Sequence, residues 1–186
     1  MNEKLCLITG GGSGIGRATA IKFAQNKINT IIVGRRNDAL EETVSLADEN
    51  SDFLKPVKAD LSTENGINDL FNYVKKNFDN NVNILVNNAG SSSKIRSVAH
   101  IPKNQWDEVV NINLNSVYLL CQKFLNDMIK NKDGTIITIS SMAALKPGLL
   151  GGAPYGAAKA GVTNLMGAIN SEFSNDGIRA TAIMPG

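Results

Sequence analysis

The chain has 186 residues, 42% of them hydrophobic and 19% charged, which is enough for one soluble domain with a real core and unlike a disordered polymer. Nineteen basic residues against seventeen acidic ones leave a net charge of +2, and aromatic residues make up only 5%. These values exclude a polybasic nucleic-acid or membrane binder, which needs a concentrated positive surface or stacking platforms.

Residues 1–4 lead into an apolar run too short for a signal-peptide core, and no run approaches a membrane span, so a reducing cytoplasm is the expected compartment. Residues 5–8 form a continuous apolar run ended by glycines, the pattern of a strand buried on both faces. A helix is predicted over 15–25, a second buried strand over 30–33, and a second helix over 38–49 with Asn37 as its N-cap. Residues 54–59 read as an edge strand because Pro56 removes a ladder donor. Ser62 or Thr63 then caps a helix through Phe78, and 82–86 is the fourth strand. Two helices follow, the second over 113–129, with Leu114, Val117, Tyr118 and Cys121 along one stripe. Residues 135–139 form the fifth strand, Val162, Leu165, Met166 and Ile169 mark a long helix ending near Ser174, and 178–184 form the sixth strand.

Short apolar strands separated by amphipathic helices mean βαβ units, and right-handed crossovers place helices on both faces. The expected fold is α/β, a doubly wound parallel sheet in the order 3-2-1-4-5-6, in a single domain over 1–186. Cys6 and Cys121 belong to no CxxC pair, and both sit in apolar stretches, which favours two reduced core cysteines over a disulfide. With His100 as the one histidine, no metal site can be assembled by spacing. His100 lies in a connecting segment without a paired nucleophile, so a structural role or a place at a pocket edge is expected.

Thr9-Gly10-Gly11-Gly12-Ser13-Gly14-Ile15-Gly16 stands between the first strand and the first helix. There a doubly wound sheet binds a nucleotide pyrophosphate, with glycines allowing close approach and the helix N-terminus supplying unpaired N–H groups. Arg17-Ala18 follow the last glycine, where a P-loop would need Lys and then Ser or Thr. The usual GxGxxG spacing is not met either, since the register is Gly10-x-x-x-Gly14-x-Gly16.

TGxxxGIG after the first strand resembles the short-chain dehydrogenase/reductase family, and further motifs follow in order. Asn87-Asn88-Ala89-Gly90 is similar to that family's NNAG. Asp60, with Leu61 beside it, matches the adenine-contacting position. Asn113 aligns best with the active-site Asn, Asn111 being the competing assignment. Of Ser140 and Ser141, Ser141 is the better match to the catalytic serine. Tyr155-Gly156-Ala157-Ala158-Lys159 is the YxxxK pair, and Pro185-Gly186 matches the motif after the sixth strand. YxxxK alone is weak; six motifs in order, each at its βα position, are strong. The resemblance covers essentially the whole chain and implies a Rossmann-type fold. Ser141 and Tyr155 are 14 residues apart, one more than is familiar, and Pro147 and Gly148 lie where an extra residue can be absorbed. Family members also run longer, so a final strand and the helices covering the substrate are expected to be missing.

Tyr155 and Lys159 are i and i+4 on one helix, so both project from the same face. A phenol normally titrates near pH 10, and a nearby ammonium favours its ionised form, a physical reason for this pair at this spacing. Tyr155 is therefore expected to give a proton to a carbonyl oxygen as hydride arrives, or to take the alcohol proton in reverse. The resemblance adds that Lys159 holds the nicotinamide ribose, Ser141 bonds the substrate oxygen and Asn113 positions a relay water. It also implies that Gly10, Ser13, Gly14, Ile15, Gly16, Asn87, Ala89, Gly90, Pro185 and Gly186 belong to the cofactor site.

Gly34 falls 18 residues after Gly16, where an NAD site places an acid on the ribose 2′-OH. Arg35-Arg36 follow, and guanidinium groups bind a 2′-phosphate that a carboxylate would repel. NADP is thus preferred over NAD, with Arg35 the stronger contact and Ser13 within reach. The leading expectation is an NADP-dependent oxidoreductase interconverting an alcohol and a carbonyl compound, a 3-oxoacyl thioester being one substrate class among several. Segments 91–97 and 142–152 are expected to line the substrate side. The alternatives are a regulatory or redox-sensing nucleotide-binding module without turnover and, less well matched, a sugar-nucleotide epimerase or dehydratase. A small-molecule substrate and a second copy of the chain are the expected partners, with Ala157, Ala158, Ala160 and Gly161 permitting close helix approach between subunits.

Overall fold

The computed structural model describes residues 4–78, 82–146, 148 and 151–186. Six strands, β1 (Leu5–Thr9), β2 (Asn29–Gly34), β3 (Leu54–Lys58), β4 (Val82–Asn87), β5 (Gly134–Ile139) and β6 (Ile178–Ile183), form one sheet in the order β3-β2-β1-β4-β5-β6. Every pairing is parallel, so each strand returns to the same edge through a helical crossover. The helices are α1 (Gly14–Gln25), α2 (Asn37–Ser45), α3 (Glu64–Phe78), α4 (Lys103–Val110), α5 (Ser116–Asn131) and α6 (Ala153–Phe173).

Strand alternation divides the core into two layers. Leu5 and Leu7 face α3, α5 and α6 with Leu85 and Ile136, while Cys6 and Ile8 face α1 and α2 with Ile32 and Val86. The second layer does not reach β6, where Arg179, Thr181 and Ile183 are exposed. Cys6 and Cys121 are free and buried in separate layers, and burial raises both thiols, to about 12 for Cys121. β3 is an edge strand, so Pro56 removes a ladder donor only on the open side.

Several boundaries differ from expectation. The helix expected over 38–49 ends at Ser45, because Asp48 adopts a positive φ of 50° and a 3-10 turn, Asp48–Phe53, follows. Asn37 is inside that helix, and Arg36 stands at its cap in extended conformation. Thr63 rather than Ser62 caps α3, its Oγ1 accepting the Gly66 amide at 3.1 Å. α4 and α5 are joined through a π turn, Asn111–Asn115, into one helical run. Tyr118 is 48% exposed and falls off the buried stripe of Val117 and Cys121. Ala158 is buried and Gly161 packs on Leu114, so only Ala157 and Ala160 of that small-residue set face outward. Among the described residues no helix is long and apolar enough to cross a membrane.

Candidate active site

The carboxyl ends of β1 and β4 are laced together directly beneath the glycine-rich turn. Thr9 Oγ1 accepts the Asn88 and Ala89 amides, each at 2.9 Å, and Asn88 Nδ2 donates to the Thr9 and Gly10 carbonyls at 2.9 and 3.2 Å. Gly10 has φ +68°, and a Cβ there would lie 2.7 Å from Asn88 Nδ2. A Cβ on Gly16 would lie 2.3 Å from the Gly10 carbonyl oxygen, so the turn closes only with glycine at both positions. Ser13 stands at the cap of α1 in extended conformation without a side-chain capping bond. The Gly10 and Gly11 amides go to the Val33 carbonyl at 2.7 and 3.1 Å, whereas those of Gly12 and Ser13 have no acceptor among the described residues.

A cleft of about 560 Å³ runs from this turn across the strand ends. Gly10, Ser13, Arg35, Arg36, Leu61, Ala89 and Gly90, each expected in the site, all line it, as does Gly34 at the end of β2. Asp60 stands beside Leu61, and its carboxyl is held below the usual range. Bonds from Ser62 Oγ at 2.7 Å and Ser62 N at 3.0 Å are the main cause, with the nearby Arg35 adding to them. Asn87 differs from its neighbours: its side chain turns into the core, 2% exposed, with Nδ2 toward Thr138 Oγ1 at 3.3 Å and Cys121 Sγ at 3.7 Å. Gly14 and Ile15 are exposed on the first turn of α1. Sequence reasoning missed Thr9, Asn88, Ser62 and Glu108. Ser62 and Glu108 line the cleft, while Thr9 and Asn88 brace its floor. Thr9 and Asn88 were open to inference as polar side chains next to two strand ends; Glu108, on the outer face of α4, carries no local signal.

Tyr155 and Lys159 project from the first turns of α6. Lys159 is 4% exposed, its Nζ donating to the Ile139 carbonyl at 2.7 Å and lying 5.5 Å from the Tyr155 ring centroid. Burial lowers its pKa to about 8. The two serines after β5 face opposite ways. Ser140 is buried and bonded to Thr163 Oγ1 at 2.8 Å and the Lys159 carbonyl at 3.1 Å. Ser141 is half-buried at the start of the 3-10 turn Met142–Ala144, its Oγ accepting the Ala143 amide at 3.1 Å. That turn packs on α6 at Gly156, beside Tyr155. Asn113 is fully buried in the π turn, its Nδ2 donating to the Ser91 and Val109 carbonyls at 2.7 and 2.9 Å. Asn111 instead bonds Asn115 on the same helical run. The Pro185 carbonyl accepts the Met142 amide at 3.2 Å, which ties the end of β6 to the Ser141 turn, and Gly186 is exposed.

The two segments expected on the substrate side meet. The Ser93 amide donates to the Gly151 carbonyl at 2.9 Å, and Ser93 Oγ donates to the Ile95 carbonyl at 2.5 Å. Arg96 and Ser97 face Ala143, Ala144 and Gly152 across a second cleft of about 720 Å³, which lies along α6 to one side of Tyr155. Pro147, expected to absorb the extra residue, lies outside the described residues. His100 is exposed, with Nδ1 3.2 Å from Ser97 Oγ. Among the described residues no group of three or more His, Cys, Asp or Glu side chains is placed to hold a metal ion.

The chain is similar to known proteins in sequence and fold. The family model for short chain dehydrogenase matches residues 4–186. An uncharacterized oxidoreductase, YxbG, of Bacillus subtilis is 33% identical over all of this chain and 67% of its own length. The 3-oxoacyl-acyl-carrier-protein reductase FabG of Thermotoga maritima is 32% identical over all of this chain and 74% of its own length. The crystal structure of a metagenomic short-chain oxidoreductase in complex with NADP superposes with a TM-score of 0.93 at 28% identity, covering all of this chain and 83% of the other. A short-chain dehydrogenase from Sphingobium yanoikuyae in complex with NADPH gives a TM-score of 0.88 at 26% identity, covering 98% and 70%. On its motifs, its sheet order and these likenesses, the chain belongs to the short-chain dehydrogenase/reductase family of oxidoreductases.

Proposed function

We propose that the protein interconverts an alcohol and a ketone or aldehyde with NADP, and that Tyr155 is the general acid and base. The observation that carries this reading is the Tyr155–Lys159 pair, a buried cation beside a phenol ring at the edge of the sheet that bears the glycine turn. When bound, the dinucleotide would supply the hydride that reduces the carbonyl carbon. Tyr155 Oη gives its proton to the carbonyl oxygen, and the C=O double bond becomes C–OH. Lys159, with a pKa of about 8, is mostly cationic at pH 7 and stabilises the negative oxygen left on Tyr155. Ser141 holds the substrate oxygen, a role favoured over Ser140 because Ser140 is spent on α6. Asn113 fixes the π turn beside Ser91 and Gly90 and positions the proton-relay path.

The residues present fit the dinucleotide. Gly10 and Gly16 clear a cradle that a Cβ would fill, the Gly12 and Ser13 amides have no acceptor among the described residues, and Arg35 and Arg36 line the far end of the cleft. Gly34 leaves no carboxylate to repel a 2′-phosphate, so NADP is preferred over NAD. The substrate binds between segments 91–97 and 142–152, and 3-oxoacyl thioesters belong in any trial because a relative of this chain is named for them. A second copy of the chain packs against α5 and α6.

Tyr155→Phe tests the assignment. It removes one hydroxyl and is expected to reduce turnover by at least about 10²-fold while NADPH binds as to the wild type. Turnover within a few-fold of wild type would refute the role.

A further inference from the structure

The back of the glycine turn carries a clamp that the catalytic scheme does not use. Arg17 follows Gly16 on α1, and its Nη2 donates to the Gly12 carbonyl at 2.7 Å and pairs with Glu42 Oε2 at 2.5 Å. Its Nε donates to Thr43 Oγ1 at 3.1 Å. Thr43, on α2 and fully buried, lies with its hydroxyl 3.0 Å from both the Gly11 and Ala39 carbonyls. Two successive carbonyls of the turn, those of Gly11 and Gly12, are thus held from behind.

A trans peptide unit is planar, with its C=O and N–H pointing in opposite directions. Holding the Gly11 carbonyl at the rear turns the Gly12 N–H to the front, and holding the Gly12 carbonyl does the same for Ser13. Both amides are without an acceptor among the described residues, as are those of the first turn of α1, and Gly12 and Ser13 both line the cleft. A row of free amides is an anion-binding concavity only if the peptide planes are fixed. Without the clamp, glycines can rotate these planes freely.

We propose that Arg17 and Thr43 are positioning residues for cofactor phosphate: by holding the Gly11 and Gly12 carbonyls behind the turn, they aim the Gly12 and Ser13 amides at a phosphate group of the dinucleotide. The proposal rests on the NADP reading of this cleft. Arg17 itself stays behind the turn and meets no ligand.

Its test is NADPH binding by fluorescence titration to wild type, Arg17→Met, Arg17→Lys and Thr43→Val, with kcat at saturating cofactor and competition by adenosine, which has no phosphate. Arg17→Met and Thr43→Val are each expected to weaken NADPH about tenfold, with kcat and adenosine inhibition changed less than about twofold. Arg17→Lys, still able to donate to the Gly12 carbonyl, should fall between. Thr43→Val is nearly isosteric and carries the test if Arg17→Met does not fold. NADPH affinity within about twofold of wild type in both variants would overturn the proposal. A parallel loss of adenosine would also overturn it, because the clamp would then merely brace the cleft wall. A wild type that binds neither NADPH nor NADH would overturn the cofactor reading itself, and this proposal with it.

Discussion

Lys159 is a buried cation, and its burial carries a cost to stability. Its folded pKa of about 8 lies below the ordinary 10.5, so the unfolded chain binds more protons between those values. Stability should therefore rise with pH across that window, whereas below about 8 the cost of burying the cation is felt in full. Against Lys159→Met, the wild type should gain about 2 kcal/mol between pH 8 and pH 10 in urea unfolding. Parallel pH profiles would contradict it. Gly34 is where the proposed preference for NADP is tested by a single residue. A Cβ there meets Leu40 no closer than 3.4 Å, so Gly34→Asp can be accommodated and places an anion in the cleft. Competition assays should show NADP affinity falling at least about tenfold and the preference moving toward NAD. An unchanged preference would remove the 2′-phosphate from this end of the cleft. Ser140 and Ser141 mark what was legible at this level. Motif order favours Ser141, while the engagement of Ser140 with Thr163 and the Lys159 carbonyl depends on a contact between distant segments that the sequence does not announce.

The secondary structure elements were legible wherever apolar period and punctuation agreed. β1, β2 and β5 are short buried runs, and all three appear within one or two residues of expectation. α2 ended early because Asp48 entered left-handed conformation, an event that the helix-forming residues around it do not announce. The π turn at Asn111–Asn115 was not legible. It gives an extra residue to the helical run and buries Asn113, whose amide then bonds the Ser91 and Val109 carbonyls. The glycine turn was legible as a tight turn between β1 and α1, yet its braces, Thr9, Asn88, Arg17 and Thr43, come from four elements or their ends. Gly16→Ala tests the cradle as a unit. Its Cβ would collide with the Gly10 carbonyl, so NADPH binding is expected to fall at least about 10²-fold. Near-normal binding would show that the turn opens without cost.

For the molecule as a whole, parallel order 3-2-1-4-5-6 gathers the ends of β1, β2 and β4 under one cleft, and the ends of β5 and β6 beside Tyr155 and Lys159. That order followed from alternating strand and helix patterns together with crossover handedness, which is why the site's location was inferred before its geometry. Cofactor binding to the folded chain alone should stabilise it by about 2.7 kcal/mol at 100 times the dissociation constant, which raises Tm by about 5–10 °C. At equal concentrations NADP should raise Tm more than NAD. Hydride transfer is tested most directly by supplying NADPH deuterated at the transferring position of its nicotinamide C4, together with a panel of ketones and 3-oxoacyl thioesters. The prediction is that one deuterium appears on the carbinol carbon of a product alcohol, and that Tyr155→Phe abolishes its formation. An unlabelled product would contradict direct hydride transfer, and no substrate-dependent oxidation of NADPH across the panel would contradict it and favour a nucleotide-binding module without turnover.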